Sequence, residues 1–156
     1  MKGCFIRGFS LLLSLAIAAP GADISSLGNW TVAIDASDLI AGAGSNVISQ
    51  YESVTGSTTV DITNTAGGSW RIVARRAGGT WHGNLTLFVR RTSDGSGSGA
   101  VLSGASYVQL STLDTEIFTG AGDRTNIAVQ LKLTGMSKDV SPNTYSSGII
   151  FTVTSL

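Results

Sequence analysis

The sequence is poor in the side chains that most often carry chemistry. Its 156 residues include one cysteine, Cys4, and one histidine, His82. A single histidine excludes HExxH and other paired-histidine metal sites, and no GxSxG nucleophile motif is present. The ten acidic residues are scattered along the chain. We therefore expect a protein that is not an enzyme and that binds no cofactor and no metal.

The N-terminus has the layout of a secretory signal peptide. Lys2 and Arg7 precede an apolar run at 9–19, and small residues follow at 18–22. The run is too short to span a bilayer comfortably, which argues against an uncleaved anchor and a membrane span in the mature chain. Cleavage within 18–22 removes Cys4, so the mature chain has no thiol and no disulfide. The predicted organisation is a signal peptide at 1–22 and a single domain at 23–156.

Charge is also scarce. Charged residues make up 13% of the chain, against about a quarter in ordinary globular domains. Loss of Lys2 and Arg7 leaves eight basic against ten acidic residues, a formal charge of −2. This balance argues against nucleic acid and anionic membranes as partners. A surface rich in Ser, Thr and Gly is typical of an extracellular protein that packs against copies of itself.

What the sequence does contain is alternation of apolar and polar residues with a period of two. Turn signals separate these segments, and almost no helical pattern is present. The predicted fold is all-β, a single antiparallel β-sandwich, immunoglobulin-like or pilin-like, of about seven to eight strands, with a small barrel as the alternative. The main predicted strands are Asn29–Asp35, Thr58–Asn64, two strands within Ser69–Thr92, Tyr107–Ser111, Glu116–Thr119, Asn126–Thr134 and Tyr145–Thr154.

The stretch Ser69–Thr92 predicts a central hairpin closed by a Gly-rich loop at 77–84. If Arg76 faces Leu85, one face of this hairpin is apolar and forms core. That face carries Trp70, Ile72, Ala74, Leu87 and Val89.

The opposite face of the predicted hairpin is basic, with Arg71, Arg75 and Arg90. In one interpretation these arginines pair with acidic residues on neighbouring strands and discourage uncontrolled edge pairing. In the other, the patch binds an acidic surface on a neighbouring subunit or on a polysaccharide.

Trp81 and His82 lie at the hairpin tip and form the best candidate contact site. An exposed tryptophan in a Gly-flanked loop would stack on a sugar or lie beneath a partner. The favoured alternative is that Trp81 folds back over the end of the sandwich, because large aromatics are mostly buried. His82 is then expected to hydrogen-bond within the loop.

Two terminal segments bear on assembly. In Asn29–Asp35, the side chains of Trp30, Val32 and Ile34 share one face, which makes this segment a candidate inter-subunit strand. At the other terminus, Leu133 facing Tyr145 would align two apolar rows, which predicts an antiparallel pair of the last two strands.

The turn Pro142-Asn-Thr-Tyr145, followed by an alternating strand at 149–154, resembles the close of bacterial pilin-type and spore-coat-U-like domains. In those families a turn containing proline or glycine and a tyrosine leads into the last strand. The resemblance implies a secreted bacterial β-sandwich.

The function predicted from these features is a secreted, non-enzymatic structural or adhesive protein. We expect it to be a self-associating subunit of an extracellular filament, pilus or matrix, assembling by strand addition at an open sheet edge. The alternative is a carbohydrate-binding or adhesin module that uses the Trp81 loop to bind a surface glycan.

Overall fold

The computed structural model describes residues 21–156, so the predicted signal peptide, apart from Gly21 and Ala22, lies outside the described residues. The described chain forms β-strands and one turn of 3₁₀ helix at Ala36–Asp38. The strands are β1 (Asp23–Gly28), β2 (Gln50–Glu52), β3 (Thr58–Thr63), β4 (Ser69–Ala77), β5 (Thr86–Arg91), β6 (Ser96–Gly97), β7 (Val101–Leu102), β8 (Val108–Leu110), β9 (Thr115–Ala121), β10 (Arg124–Thr134) and β11 (Gly148–Ser155).

These strands form two antiparallel sheets that pack face to face. The first sheet has the order β1-β3-β10-β5-β8, with β2 and β6 pairing along other parts of β10. The second has the order β11-β4-β9-β7. The predicted all-β antiparallel sandwich is therefore confirmed. The strands exceed the predicted seven to eight because four of them are only two or three residues long.

The core lies between the sheets and is built by the alternating residues that the pattern indicated. Trp70, Ile72 and Ala74 of β4 are completely buried. They pack against side chains of the facing sheet, among them Val89 of β5 and Val129 of β10. The period of two places every second side chain of a strand on the same face, which is why one face of each long strand is apolar.

The predicted central hairpin is wrong, although its core face is right. β4 pairs with β11 and β9, whereas β5 pairs with β10 and β8 in the other sheet. The connection at 78–85 thus crosses from one sheet to the other. Packed sheets lie about 10 Å apart, and alternation alone does not distinguish two strands paired within a sheet from two that face each other across the core.

The predicted pairing of the last two strands is wrong for the same reason. β10 belongs to the first sheet, while β11 belongs to the second and pairs along its whole length with β4. The residues at 135–147 cross between the sheets, so Leu133 and Tyr145 are not ladder partners. Ile149, Phe151 and Val153 of β11 nevertheless pack against the core, as the pattern predicted.

The N-terminal strand was predicted at Asn29–Asp35, but it lies before that segment, at Asp23–Gly28. The strand is β1, which pairs antiparallel with β3 of its own subunit, whereas 29–35 forms neither strand nor helix. Gly28 redirects the chain where the two segments meet. Its φ is 138°, and a Cβ at this position would lie 2.3 Å from the carbonyl oxygen of Ser57. Only glycine fits this close approach, so the chain leaves the sheet here.

Candidate functional site: an apolar groove at one end of the sandwich

A groove of about 1130 Å³ opens at the end of the sandwich where 78–85 and 135–147 cross between the sheets. We call this the open end. The third wall of the groove is the extended segment 29–34, which we call the lead segment. Strand side chains of both sheets, including Leu131, Leu133 and Phe151, also line it. The groove is therefore a gap between the two sheets that three long connections surround but do not fill.

The lead segment keeps the alternation of a strand without being one. Trp30 and Val32 are half-buried and Ile34 is 36% exposed, while Thr31 and Ala33 between them are exposed. Within residues 21–156, no backbone hydrogen bond joins 29–34 to other backbone. The whole segment lines the groove, with Trp30 and Val32 its least exposed residues, but its backbone has no ladder partner.

Beside the groove lies the edge of the second sheet. β11 pairs with β4 on one side, and no described strand pairs with its other side. An edge strand directs every second N–H and C=O outward, where another strand can bind them. Ile149 and Phe151 of this strand line the groove. The unpaired backbone edge and the apolar groove therefore adjoin.

The chemical character of the groove is that of a binding surface for apolar side chains. Of the described residues that line it, only Lys138 carries a charge. Tyr145, at the end of the Pro142 turn, donates its hydroxyl to the Ser141 carbonyl at 2.6 Å, which ties that wall together. In the described range there is no group of three or more His, Cys, Asp or Glu placed to hold a metal ion.

Trp81 folds back onto the sandwich. Its indole N–H donates to the Leu85 carbonyl at 3.0 Å, its ring packs against the core, and the Arg76 guanidinium lies 4.5 Å from the ring centroid. The side chain is half-buried and lines the groove rather than projecting from the loop. His82 Nδ1 accepts a hydrogen bond from the Asn84 N–H at 3.2 Å. These contacts match the favoured interpretation of the loop.

The structure separates the three arginines of the predicted basic face. Arg71 and Arg75 lie on the second sheet, 3.7 Å from Glu116 and from Asp114 respectively. Arg90 belongs to β5, which pairs with β10, and it therefore lies on the first sheet. The single basic face is therefore wrong, and for Arg71 and Arg75 the interpretation as ion pairs with neighbouring acidic residues is correct.

The groove wall at 135–147 was missed from the sequence. Val140 is buried although it lies outside any strand, and Met136 lines the groove. Apolar residues isolated in a polar connection were the available signal. They indicate a connection that packs on the domain, but without the sheet assignment of β10 and β11 they do not indicate where.

We compared the chain with known protein families, curated proteins and solved structures. No protein-family model, no curated protein and no solved structure matches the chain. The resemblance to pilin-type and spore-coat-U-like domains stays a prediction. Among the described residues, no helix has both the length and the apolar character needed to cross a membrane.

Proposed function

We propose that this protein is a secreted, non-enzymatic structural or adhesive subunit that assembles with copies of itself by strand addition. The lead segment of one copy pairs with the free edge of β11 in the next copy, and Trp30, Val32 and Ile34 enter that copy's groove. One observation carries the proposal: an alternating segment without a strand partner lies beside a sheet edge that also lacks one.

Such an exchange replaces the contacts of the lead segment with its own groove by the same contacts in the next copy, so the net gain comes from the new backbone pairs and from further burial. Each backbone hydrogen bond formed contributes about 0.5–1.5 kcal/mol net. Burial of the exposed parts of the apolar row adds about 25 cal/mol per Å² of apolar surface. Within one subunit the lead segment reaches the groove without forming a ladder, since Gly28 fixes the direction in which the chain leaves β1. A lead segment from a second copy is free of that constraint.

The wider setting supports the same proposal. The N-terminal leader favours export, and the low charge favours close packing of subunits. The Pro142–Tyr145 turn, which resembles that of pilin-type domains, forms part of the groove wall. We therefore propose an extracellular or cell-surface location and a bacterial source.

The first test compares two double variants of the lead segment. Trp30→Ser with Val32→Ser removes the inward-facing row, whereas Thr31→Ser with Ala33→Ser changes only the exposed positions between. In sedimentation velocity and negative-stain microscopy, we expect the wild type and the second variant to form polymers and the first to remain a single particle. Wild-type protein that stays monomeric at every concentration would contradict the proposal.

A second test does not depend on the stability of those variants. Ala33→Cys is mixed in turn with Ile150→Cys, Thr152→Cys and Thr154→Cys, all exposed positions. Because the mature chain is predicted to lack cysteine, any mixed disulfide joins two copies. We expect at least one β11 position to cross-link to Ala33→Cys, and the exposed Ser98→Cys not to. Equal yields at β11 and at Ser98 would count against strand addition.

A further inference from the structure

The outer face of the first sheet carries a cluster of cations and aromatic rings. The Arg90 guanidinium and the Lys132 ammonium lie 4.6 and 4.0 Å from the centroid of the Tyr107 ring. Lys132 also lies 5.0 Å from the Phe88 ring. Phe88, Arg90, Tyr107 and Lys132 are called the cationic cluster below. None of the four lines the groove.

The ladder explains why these side chains meet. Arg90 of β5 faces Gln130 of β10, and Phe88 faces Lys132, so both pairs project from one face of the sheet. Tyr107 immediately precedes β8, which pairs with β5 on the other side. The ring therefore stands beside two neighbouring strands that each bring a positive charge to it.

The positive charge of this cluster is not neutralised by an ion pair. Among residues 21–156, neither Arg90 nor Lys132 forms a salt bridge, that is, a carboxylate contact within 4.0 Å. Glu52 of β2 stands opposite Lys132 in the ladder, and its oxygens accept hydrogen bonds from Gln50 and Gln130. After burial, the nearby Glu52 carboxylate also raises the pKa of Tyr107, so this carboxylate borders the cluster. The face thus presents two cations against one carboxylate.

Arg90 is held in place by neutral groups. Its Nε and Nη2 both donate to Oε1 of Gln130, at 3.0 and 2.7 Å. The Gln130 amide in turn donates to the Ser53 carbonyl at 2.7 Å in the buried part of the sheet. Burial, the largest cause, raises the pKa of Tyr107, which keeps the phenol neutral beside the cations. Because the side chains are already ordered, an incoming anion orders little that is mobile.

The second sheet provides the contrast. Arg71 and Arg75 also stand on an outer sheet face, but each has an acidic partner at 3.7 Å. The chain as a whole is predicted to be slightly acidic once the leader is removed. The positive surplus of the cationic cluster is therefore a local property of the first sheet and not a consequence of composition.

We propose that the cationic cluster binds an acidic polysaccharide through its carboxylate or sulfate groups. The positive charges identify an anionic partner. The half-buried side chains of the cluster extend from β10 across β5 to the start of β8, so a long chain lying across the strands can contact both cations. Nucleic acid fits less well, because its binding domains are typically strongly basic overall, whereas this chain is predicted to be slightly acidic and offers two cations here. The site does not depend on the groove, and it would attach subunits to a matrix whether or not they polymerise.

The test measures binding to polygalacturonate, to dextran sulfate and to neutral dextran at low ionic strength. The first two probes separate carboxylate from sulfate recognition, and dextran reports binding that needs no charge. The Trp30→Ser, Val32→Ser protein is measured beside the wild type, so that multivalent binding by polymers does not obscure the result. We expect both proteins to bind at least one acidic polymer and not dextran.

Two variants of equal charge then locate the site. Arg90→Gln with Lys132→Gln and Arg71→Gln with Arg75→Gln each remove two cations. We expect the first pair to weaken binding roughly tenfold, because two ion pairs with the ligand are lost and exposed ion pairs contribute about 0.2–1 kcal/mol each. The second should change binding by less than about twofold, because Arg71 and Arg75 lie on the other sheet and already face acidic residues. Equal losses in the two variants would overturn the assignment, as would the absence of wild-type binding.

Glu52 sharpens the test in the opposite direction. Glu52→Gln removes the carboxylate that faces Lys132, whereas Glu116→Gln removes one from the second sheet. The first should strengthen binding more than the second. Arg90→Lys with Lys132→Arg, which keeps both charges, should retain most of the affinity and so separate loss of charge from loss of fold. Tighter binding to single-stranded DNA than to either polysaccharide would overturn the choice of partner.

Discussion

At one end of the sandwich a tryptophan is sealed beneath short turns, and at the other end two tryptophans stand half-buried beside a groove. The first, which we call the closed end, is formed by the turns 64–68 and 122–123 around Trp70. Trp70 is 0% exposed, and its indole N–H donates to the Gly122 carbonyl at 2.8 Å. At the open end, Trp30 and Trp81 line the groove.

The difference follows from the connections. Short turns at the closed end bring the sheets' loops into direct contact, as when the Gly122 N–H donates to the Gly68 carbonyl at 3.0 Å. The turns at the closed end also cross between the sheets, but 78–85 and 135–147 at the open end are longer loops that leave space between them. We infer that the closed end supplies most of the stability of the fold, while the open end is available for a partner.

The largest effect that this comparison predicts is that of Trp70→Ala. We expect a loss of about 3–5 kcal/mol in the free energy of unfolding, because the substitution leaves a cavity in the core and an unpaired Gly122 carbonyl. Urea unfolding followed by circular dichroism measures it. A loss below about 1 kcal/mol would show that the closed end is not where the stability lies.

A pair of glycines tests packing at the two ends. A Cβ on Gly120 would lie 2.4 Å from Cη2 of Trp70, whereas a Cβ on Gly83 at the open end meets nothing within 4 Å. We expect Gly120→Ala to cost about 1–3 kcal/mol through overpacking and Gly83→Ala to stay within about 0.5 kcal/mol of the wild type. Comparable losses in the same urea experiment would mean that the ends are equally tight.

The same comparison separates what alternation could predict from what it could not. The buried faces of β4, β5 and β10 follow from the pattern, because side-chain direction is a local property of a strand. Whether β4 pairs with β5 or faces it across the core depends on distant partners. In the structure, β4 pairs with β11, and β5 pairs with β10.

The prediction of the candidate sites was limited in the same way, because it also depended on which strands pair. The apolar row of Trp30, Val32 and Ile34 was visible in the sequence, but the groove beside it depends on where two sheet-crossing connections run. The basic face was predicted from a pairing that does not exist, so Arg90 was grouped with Arg71 and Arg75 rather than with Lys132. A residue pattern identifies the apolar and polar faces of each strand. Which of these faces lie side by side on the protein surface depends on the topology of the sheets.

Trp81→Ala should have a smaller effect than Trp70→Ala. We expect a loss of about 1–2 kcal/mol, because the half-buried ring gives up less contact and water in the groove can reach the freed Leu85 carbonyl. Urea unfolding of the two variants under identical conditions gives the comparison. A cost equal to that of Trp70→Ala would place Trp81 in the core proper and contradict the distinction between the ends.

The smallest predicted effect is the pH dependence of one carboxylate at each end. The Thr65 hydroxyl, followed by the Thr65 N–H, lowers the pKa of Asp123 at the closed end. The Ser37 hydroxyl, followed by the Ser37 N–H, lowers the pKa of Asp35 beside the open end. A lowered pKa in the folded state contributes stability that is present above the ordinary aspartate pKa of about 4 and is lost as the pH falls through the folded value.

We therefore expect Asp123→Asn to be less stable than the wild type at pH 7, with a difference that shrinks as the pH falls from about 5 to below 3. Asp123 joins two turns far apart in sequence, whereas the contacts of Asp35 stay within its own turn, so Asp35→Asn should change global unfolding less. Urea midpoints across this pH range check both. A larger effect from Asp35→Asn would reverse the assignment of stability to the closed end.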